Sequence, residues 1–292
     1  MMETMKEIYN VGDERITTRG GISCVTYSVL DDIGFVKHGF VLRKGGVSKG
    51  CYESLNLSFT RGDDKAAVDE NFRRVGEYFG TTPDHMVSAY QTHTANVIRV
   101  GSLDAGKGVT RERLYPDADA LITDEPGLML TTSHADCTPI FIADPVHRAV
   151  GMVHSGWKGT AGMIAAKAVK AMHDEFGTCP EDIIAAIGPC ICGKCYEIGP
   201  EVADSFISRY GSLTSFSDVN GTGPMLKPKD DGKFMLNQKA VNVRILINAG
   251  VNRRNIAVSK LCTFENEDMF FSHRKMGDRR GNLRGFIEIK EQ

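Results

Sequence analysis

The stretch AVGMVHSGWKGTAGMIAAKAVKAMHDEFG, residues 149–177, decides the fold class. Residues 149–153 are an apolar run of strand length that stops at His154, and a glycine-rich link follows. From 160 to 176 the chain turns alanine-rich, with Met163, Ile164, Ala168, Val169 and Met172 on one helical face and Gly177 just past the end. Strand, glycine link and helix in succession imply an α/β or α+β protein.

Working outward, upstream apolar runs predict short strands at 87–90, 96–100, 120–123, 128–132 and 139–143, with a glycine-bearing loop over 101–116. Val68, Phe72, Val75 and Phe79 recur at three-and-four spacing before Gly80, which predicts a helix over 63–79. HGFVLRKGGVSKGCYESLNLS, residues 38–58, reads as strand, glycine turn and strand, and a β-like run covers 22–29. Downstream, strands are predicted at 183–187 and 256–259, helices at 201–210 and 237–248, and a polar loop at 211–233. No repeat or linker composition breaks the chain. Residues 1–30 read as an N-terminal extension and 31–292 as a single catalytic domain.

The composition narrows the function. A chain of 292 residues that is 41% hydrophobic and 25% charged has the make-up of a globular protein. With 35 basic and 37 acidic residues, its net charge of −2 offers no global field for nucleic acid or a membrane surface, so any anion site must be local. There is neither a signal-peptide core at the start nor a membrane-length apolar run, which places the protein in the cytoplasm. Its eight cysteines are then expected to be mostly reduced, for metal binding, catalysis or burial.

His93 in QTH, Cys137 in HADC and His154 in VHSGWKG each stand at the edge of an apolar run. Two imidazoles and a thiolate suit a catalytic zinc, which takes three protein ligands and keeps a fourth position open. Taken singly, each also reads as an ordinary core or surface residue. Two segments carry the means to hold an anion: RKGGVSKG (43–50) with Arg43 and Ser48, and HSGWKGTAG (154–162) with amides near Lys158 at a helix start. Arg274, Arg279 and Arg280 lie among aromatics in CTFENEDMFFSHRKMGDRRGN (262–282), a segment suited to closing over a planar ligand or to solvation as a basic tail. Asp119 and Asp136 read either as carboxylates that orient metal-bound histidines or as strand-end caps. Cys190, Cys192 and Cys195 are spaced C-x-C-x-x-C; a four-thiolate site would also need Cys179, and the alternative is small buried cysteines around a turn.

These motifs in their order, HGF, GGVS, SLNLS, QTH, DALIT, PGL, ADC, VHSGWKG, IGP, YEIG and FFSHR, resemble the YfiH-like family over His38 to Arg274. Its members carry two kinds of name, multicopper polyphenol oxidase or laccase-domain protein and purine nucleoside phosphorylase. The resemblance implies a cytoplasmic, monomeric enzyme of stacked mixed sheets flanked by helices, with a fold like the deamidase domain of cytotoxic necrotizing factor. It implies metal ligands at His93, Cys137 and His154, zinc or alternatively copper, and phosphorolysis of adenosine, inosine and methylthioadenosine together with adenosine deamination. Arg43, Ser48, Lys158 and Arg274 are the substrate-contact candidates. Thr94 stands where the family often has glycine, and the tail lacks a common threonine, which bears on substrate contacts and not on the metal ligands. Alternatives are peptidoglycan-precursor editing, a cysteine hydrolase using Cys137 and His154, a polyphenol oxidase and a noncatalytic binding protein. A multicopper centre needs more imidazoles than eight histidines supply, whereas one copper on two imidazoles and a thiolate is chemically sound.

Overall fold

The computed structural model describes residues 10–11, 13–113, 115–211 and 224–291. Two large mixed sheets dominate it. The seven-stranded sheet runs β1 (Asn10–Val11), β15 (Ile256–Val258), β11 (Ile184–Ile187), β9 (Thr138–Asp144), β10 (Ala149–Ser155), β7 (Ala120–Thr123) and β6 (Val97–Arg99). The six-stranded sheet runs β2 (Glu14–Arg19), β3 (Ile22–Tyr27), β4 (Val36–Val41), β16 (Leu283–Ile289), β8 (Met129–His134) and β5 (Met86–Ser88). A small sheet of β12 (Glu197–Ile198), β14 (Phe234–Leu236) and β13 (Leu226–Pro228) completes the set.

Strand alternation explains the layers. On β9, Phe141 and Ala143 join the core shared with the six-stranded sheet, while Ile140 and Ile142 join the core under the helices. Both faces of β9 and β10 are therefore apolar, as befits strands covered on each side. One face carries α4 (Ile164–Phe176), α5 (Pro200–Tyr210) and α6 (Gln238–Asn248), and the far face of the six-stranded sheet carries α2 (Lys65–Phe79). Gly285 marks the close approach of the sheets: a Cβ there would lie 2.4 Å from the Met152 Cε and 3.3 Å from the Phe141 Cζ. Its neighbour Phe286 meets Phe79 of α2, with ring centroids 5.5 Å apart.

The predicted helix at 63–79 forms, capped by the Asp64 carboxylate on the Ala66 N–H and closed by Gly80 in the left-handed region at φ 69°. The predicted helix at 160–176 is broken. A short α3 (Trp157–Ala161) ends, Met163 turns at φ 62°, and α4 begins only at Ile164. The second strand predicted within 38–58 is absent: residues 43–58 form a looped segment held by Leu55 N–H to Arg43 O (2.8 Å) and Leu57 N–H to Asn282 O (3.0 Å). Residues 212–223 of the predicted polar loop lie outside the described residues, but 226–228 pair with 234–236 as a hairpin. Described residues of the 1–30 segment, 14–19 and 22–27, lie within the six-stranded sheet. Strands β2 and β3 pair with each other and with β4, and Ile22, Cys24, Val25 and Tyr27 are buried in the core.

His38 on β4 is buried and accepts the Tyr27 N–H at Nε2 over 2.8 Å. Burial, helped by the charge of Lys290, pushes its pKa down to about 3. The unfolded chain binds this proton near 6.5 and the folded chain only near 3, so stability falls as pH drops through that window. The contribution lost is on the order of 4 kcal/mol. Denaturant titrations should show the pH 6.5-to-3 decline become shallower in His38→Gln, which still accepts the Tyr27 N–H; an unchanged slope would remove His38 from this account.

Candidate metal centre

The chain crosses from the six-stranded to the seven-stranded sheet twice at the same end, between β5 and β6 and between β8 and β9. The first crossing carries His93 and the second Cys137; His154 is the penultimate residue of β10, opposite Pro139 of β9. Residues far apart in sequence thereby converge. One nitrogen of each imidazole and the thiol sulfur all lie within 4.8 Å of one another, with Cys137 Sγ 4.0 Å from His93 Nε2.

Asp119, fully buried at the start of β7, builds this arrangement. Its carboxylate accepts the N–H groups of Thr92 (3.2 Å), His93 (3.2 Å) and Thr94 (2.8 Å), and the Thr94 hydroxyl (2.9 Å). That capping holds His93 at φ 62°, a left-handed conformation that costs a non-glycine residue roughly 1–2 kcal/mol. The same carboxylate lies 2.7 Å from His154 Nδ1, which leaves Nε2 for a ligand. Gln91 adds a two-way clasp to Ser133, donating to its carbonyl and accepting its N–H, each at 2.7 Å. The glycine at 156 is dictated by the trio: a Cβ would stand 2.8 Å from His93 Cδ2 and 3.3 Å from Cys137 Sγ.

Electrostatics favour the thiolate that a metal binds, whereas His154 must give up a proton to bind one. Burial pushes the Cys137 thiol up, but the charge of His154 and hydrogen bonds from both histidines outweigh it and bring the thiol down to about 6. Burial pushes His154 down, and the Cys137 thiolate together with Asp119 raises it to about 9. Two imidazoles, a thiolate and a buried carboxylate behind one imidazole suit a tetrahedral zinc with an open position, and also a single copper. Asp136, by contrast, orients no histidine. Its carboxylate accepts from the Thr263 hydroxyl (2.6 Å), the Ser272 hydroxyl (2.9 Å) and the Arg274 N–H (2.6 Å), which ties the C-terminal segment to the Cys137 turn. His134, not singled out in the sequence, lies 5.2 Å from the His154 ring, but both its nitrogens are engaged, with Thr132 Oγ1 (2.8 Å) and Cys137 O (3.1 Å). It supports the turn instead of offering a ligand.

A cavity of about 250 Å3 opens on the trio. Arg61, Arg113, Arg280 and Arg284 line it, and among the described residues no carboxylate does. Burial pushes Arg284 down to about 9, helped by Arg113, and Arg280 to about 10, helped by Arg61, so like charges crowd one space. The Nε atoms of Arg61 and Arg280 are buried without a hydrogen-bond partner.

None of the four expected substrate contacts lines this cavity. Arg43 donates to the carbonyls of Glu53 (2.7 Å) and Glu267 (2.9 Å) and stacks on Phe271. Ser48 donates to Asp63 (2.6 Å). The adjacent glycines serve packing and not an anion nest: a Cβ on Gly46 would stand 2.1 Å from Ser54 O. Lys158 is exposed beside Trp157, and Arg274 donates to Glu197 O (2.6 Å) over the Tyr196 ring. Of the basic tail, only Arg280 reaches the cavity; Arg61, Arg113 and Arg284 carried no local motif, being isolated arginines in loops and on an apolar strand.

A four-layer arrangement of helices and two mixed sheets, with a His–Cys–His centre at the sheet crossings, defines the class. Residues 37–290 match the family described as multi-copper polyphenol oxidoreductase laccase, and the chain belongs to that family. It is 35% identical over 254 residues to the purine nucleoside phosphorylase YlmD of Bacillus subtilis (strain 168), covering 87% of this chain and 88% of that protein. A purine nucleoside phosphorylase of Bacteroides thetaiotaomicron is 32% identical over 265 residues, covering 90% and 95%. The crystal structure of YlmD from Geobacillus stearothermophilus superposes with a TM-score of 0.85 at 32% identity, covering 96% of this chain and 100% of that one.

Asp119→Asn keeps the size of the side chain and removes its charge. Competition with a chelator should show metal affinity falling by about 10 to 100-fold, and the melting temperature should fall as well, because the amide turns one acceptor oxygen into a donor among five donors; undiminished affinity would show that the carboxylate does not tune the histidine.

Proposed function

We propose that the protein is a zinc-dependent purine nucleoside phosphorylase of the cytoplasm, monomeric, acting on adenosine, inosine and methylthioadenosine, with adenosine deamination as a second activity of the same site. The observation that carries this reading is the cavity itself, where four guanidiniums, with no lining carboxylate among the described residues, adjoin a His–Cys–His centre. The printed names of the relatives support the reaction class.

The arginines suit inorganic phosphate, since guanidinium forks match its oxygens and pair with them strongly even in a buried site. The unpartnered Nε–H groups of Arg61 and Arg280 are the donors awaiting an acceptor. Tyr90 is 46% exposed at the same cavity, and Arg113 lies over its ring at 5.1 Å; this exposed aromatic suits the face of a purine. A phosphate oxygen held by the arginines attacks C1′ of the ribose as the C1′–N9 bond breaks, and the bond's electron pair leaves with the purine, which takes up a proton. Ribose 1-phosphate and the free base result. Zinc would be held by His93, Cys137 and His154 and, when bound there, would supply Lewis acidity near neutral pH. Asp119 fixes the tautomer and direction of His154, and the low thiol pKa of Cys137 keeps it a thiolate.

The thiolate–imidazolium character of Cys137 and His154 favours a second reading, a metal-independent cysteine hydrolase. Release of hypoxanthine from inosine should require phosphate, survive alkylating reagents in the zinc-loaded protein, and vanish in Cys137→Ala. Full phosphorolysis by that variant would overturn the proposal, and activity in metal-stripped protein that iodoacetamide abolishes would favour the hydrolase. Arg280→Gln should raise the KM for phosphate by roughly tenfold or more while zinc content stays constant.

A further inference from the structure

A second cluster of ligand atoms lies outside this cavity. The sequence CGKC (192–195) precedes β12 (197–198) of the small sheet, and CTFE (262–265) follows the strand at 256–258. Each is a ligand-x-x-ligand turn. Cys195 N–H and Tyr196 N–H both reach Cys192 O over 3.0 Å, and Asn266 closes the other turn by donating from its N–H (3.2 Å) and its amide (2.8 Å) to Cys262 O.

The two turns face each other. Cys190 and Cys262 form an isolated parallel bridge, and the Thr263 N–H donates to Cys190 O over 3.2 Å. The Cys192 N–H points at Cys262 Sγ over 3.3 Å, a donor directed at sulfur that stabilises a thiolate. Cys195 Sγ lies 3.6 Å from Glu265 Oε1. The three sulfurs and one carboxylate oxygen are all within 4.8 Å of one another. Ligands about 2.3 Å from a tetrahedral zinc stand about 3.8 Å apart, so the cluster has nearly the size of such a site.

We propose that Cys192, Cys195, Cys262 and Glu265 form a second metal site, a structural zinc centre that clamps the turns at 192–195 and 262–265 together. Zinc is the metal that three thiolates and a carboxylate in tetrahedral array select over the harder magnesium and calcium. Binding displaces the thiol protons to solvent and changes no oxidation state. The sequence spacing pointed to a thiolate site here but to Cys179 as its fourth corner. Cys179 is exposed beside α4 and belongs to neither described metal group, and the closing ligands come instead from the turn at 262–265.

The position gives the site a role in the fold. Ile191 N–H donates to Asp136 O (3.1 Å) and the Thr263 hydroxyl to the Asp136 carboxylate, so a neighbour of each turn's first ligand grips the residue before Cys137. A metal that joins the turns stiffens the support of the catalytic thiol without touching the cavity. It is independent of the reaction proposed above, because it requires no nucleoside chemistry.

Elemental analysis of protein purified under reducing conditions in zinc-supplemented medium tests it. The intact chain should hold two zinc ions, Cys137→Ala should keep one, and Cys192→Ser with Cys195→Ser should also keep one. Cobalt replacement should give Cys137→Ala protein an intense sulfur-to-cobalt charge-transfer absorption, which Cys195→Ser weakens. Glu265→Gln, at an exposed position where folding is not at stake, should lose its second zinc to a chelator at least about tenfold more readily. A single zinc that disappears in Cys137→Ala would overturn the second site and leave the first intact. A Cys192–Cys195 disulfide in that reduced preparation, seen as a mass two daltons low with one zinc bound, would likewise overturn it. Two zinc ions without phosphorolysis would uphold the second site and refute the proposed activity.

Discussion

The buried carboxylate of Asp119 is the constraint on which the site depends. It lies fully buried, yet accepts hydrogen bonds from three successive backbone amides, a hydroxyl and an imidazole. A buried charge is tolerable only when so fully paired. That satisfaction does two things at once: it stabilises a left-handed turn that presents His93, and it fixes the nitrogen that His154 turns toward the centre. One side chain therefore couples the conformation of a loop to the chemistry of a strand.

The fold supplies the rest by moving the chain between two sheets at one end. Strands β5 and β8 lie side by side in one sheet, and their successors β6 and β9 flank β7 and β10 in the other. The connecting loops must therefore pass over the same edge, where neither sheet covers them. Backbone that leaves its ladder there needs partners, and Asp119, Asp136, Gln91 and His134 provide them. Beside this polar rim, the arginines are held with part of their hydrogen-bonding capacity unused. An anion-receptive cavity thus adjoins the ligand set, although the protein's net charge is slightly negative.

Much of this was legible in the chain. The apolar runs at 120–123, 139–143 and 149–153 became strands, because both their faces are covered and every residue must be apolar. The helix at 63–79 was legible from its stripe and its terminal glycine. Where the reading failed, a local pattern met a tertiary demand. The GGVS segment looks like a hairpin turn, but its glycines make room for Ser54 O and Gly21 O and no strand forms over residues 47–58. The helix start at 160 was displaced because Thr160 is drawn into a buried network with Ser155, and Met163 reverses the backbone.

By itself the sequence determined which runs become strands and helices and singled out His93, Cys137 and His154 as candidate ligands: periodicity records which faces are covered, and few residue types other than histidine and cysteine bind soft metals. Only the tertiary structure decided what stands beside those ligands. Arg61, Arg113, Arg280 and Arg284 are separated by up to 223 positions in the numbering and share no motif, so nothing local marks them as a group. The turns at 192–195 and 262–265 are each unremarkable alone, and they become a possible ligand set only when the strands before and after them bring four donors within bonding range. Spacing along a chain encodes contacts within one element; contacts between elements are fixed by packing.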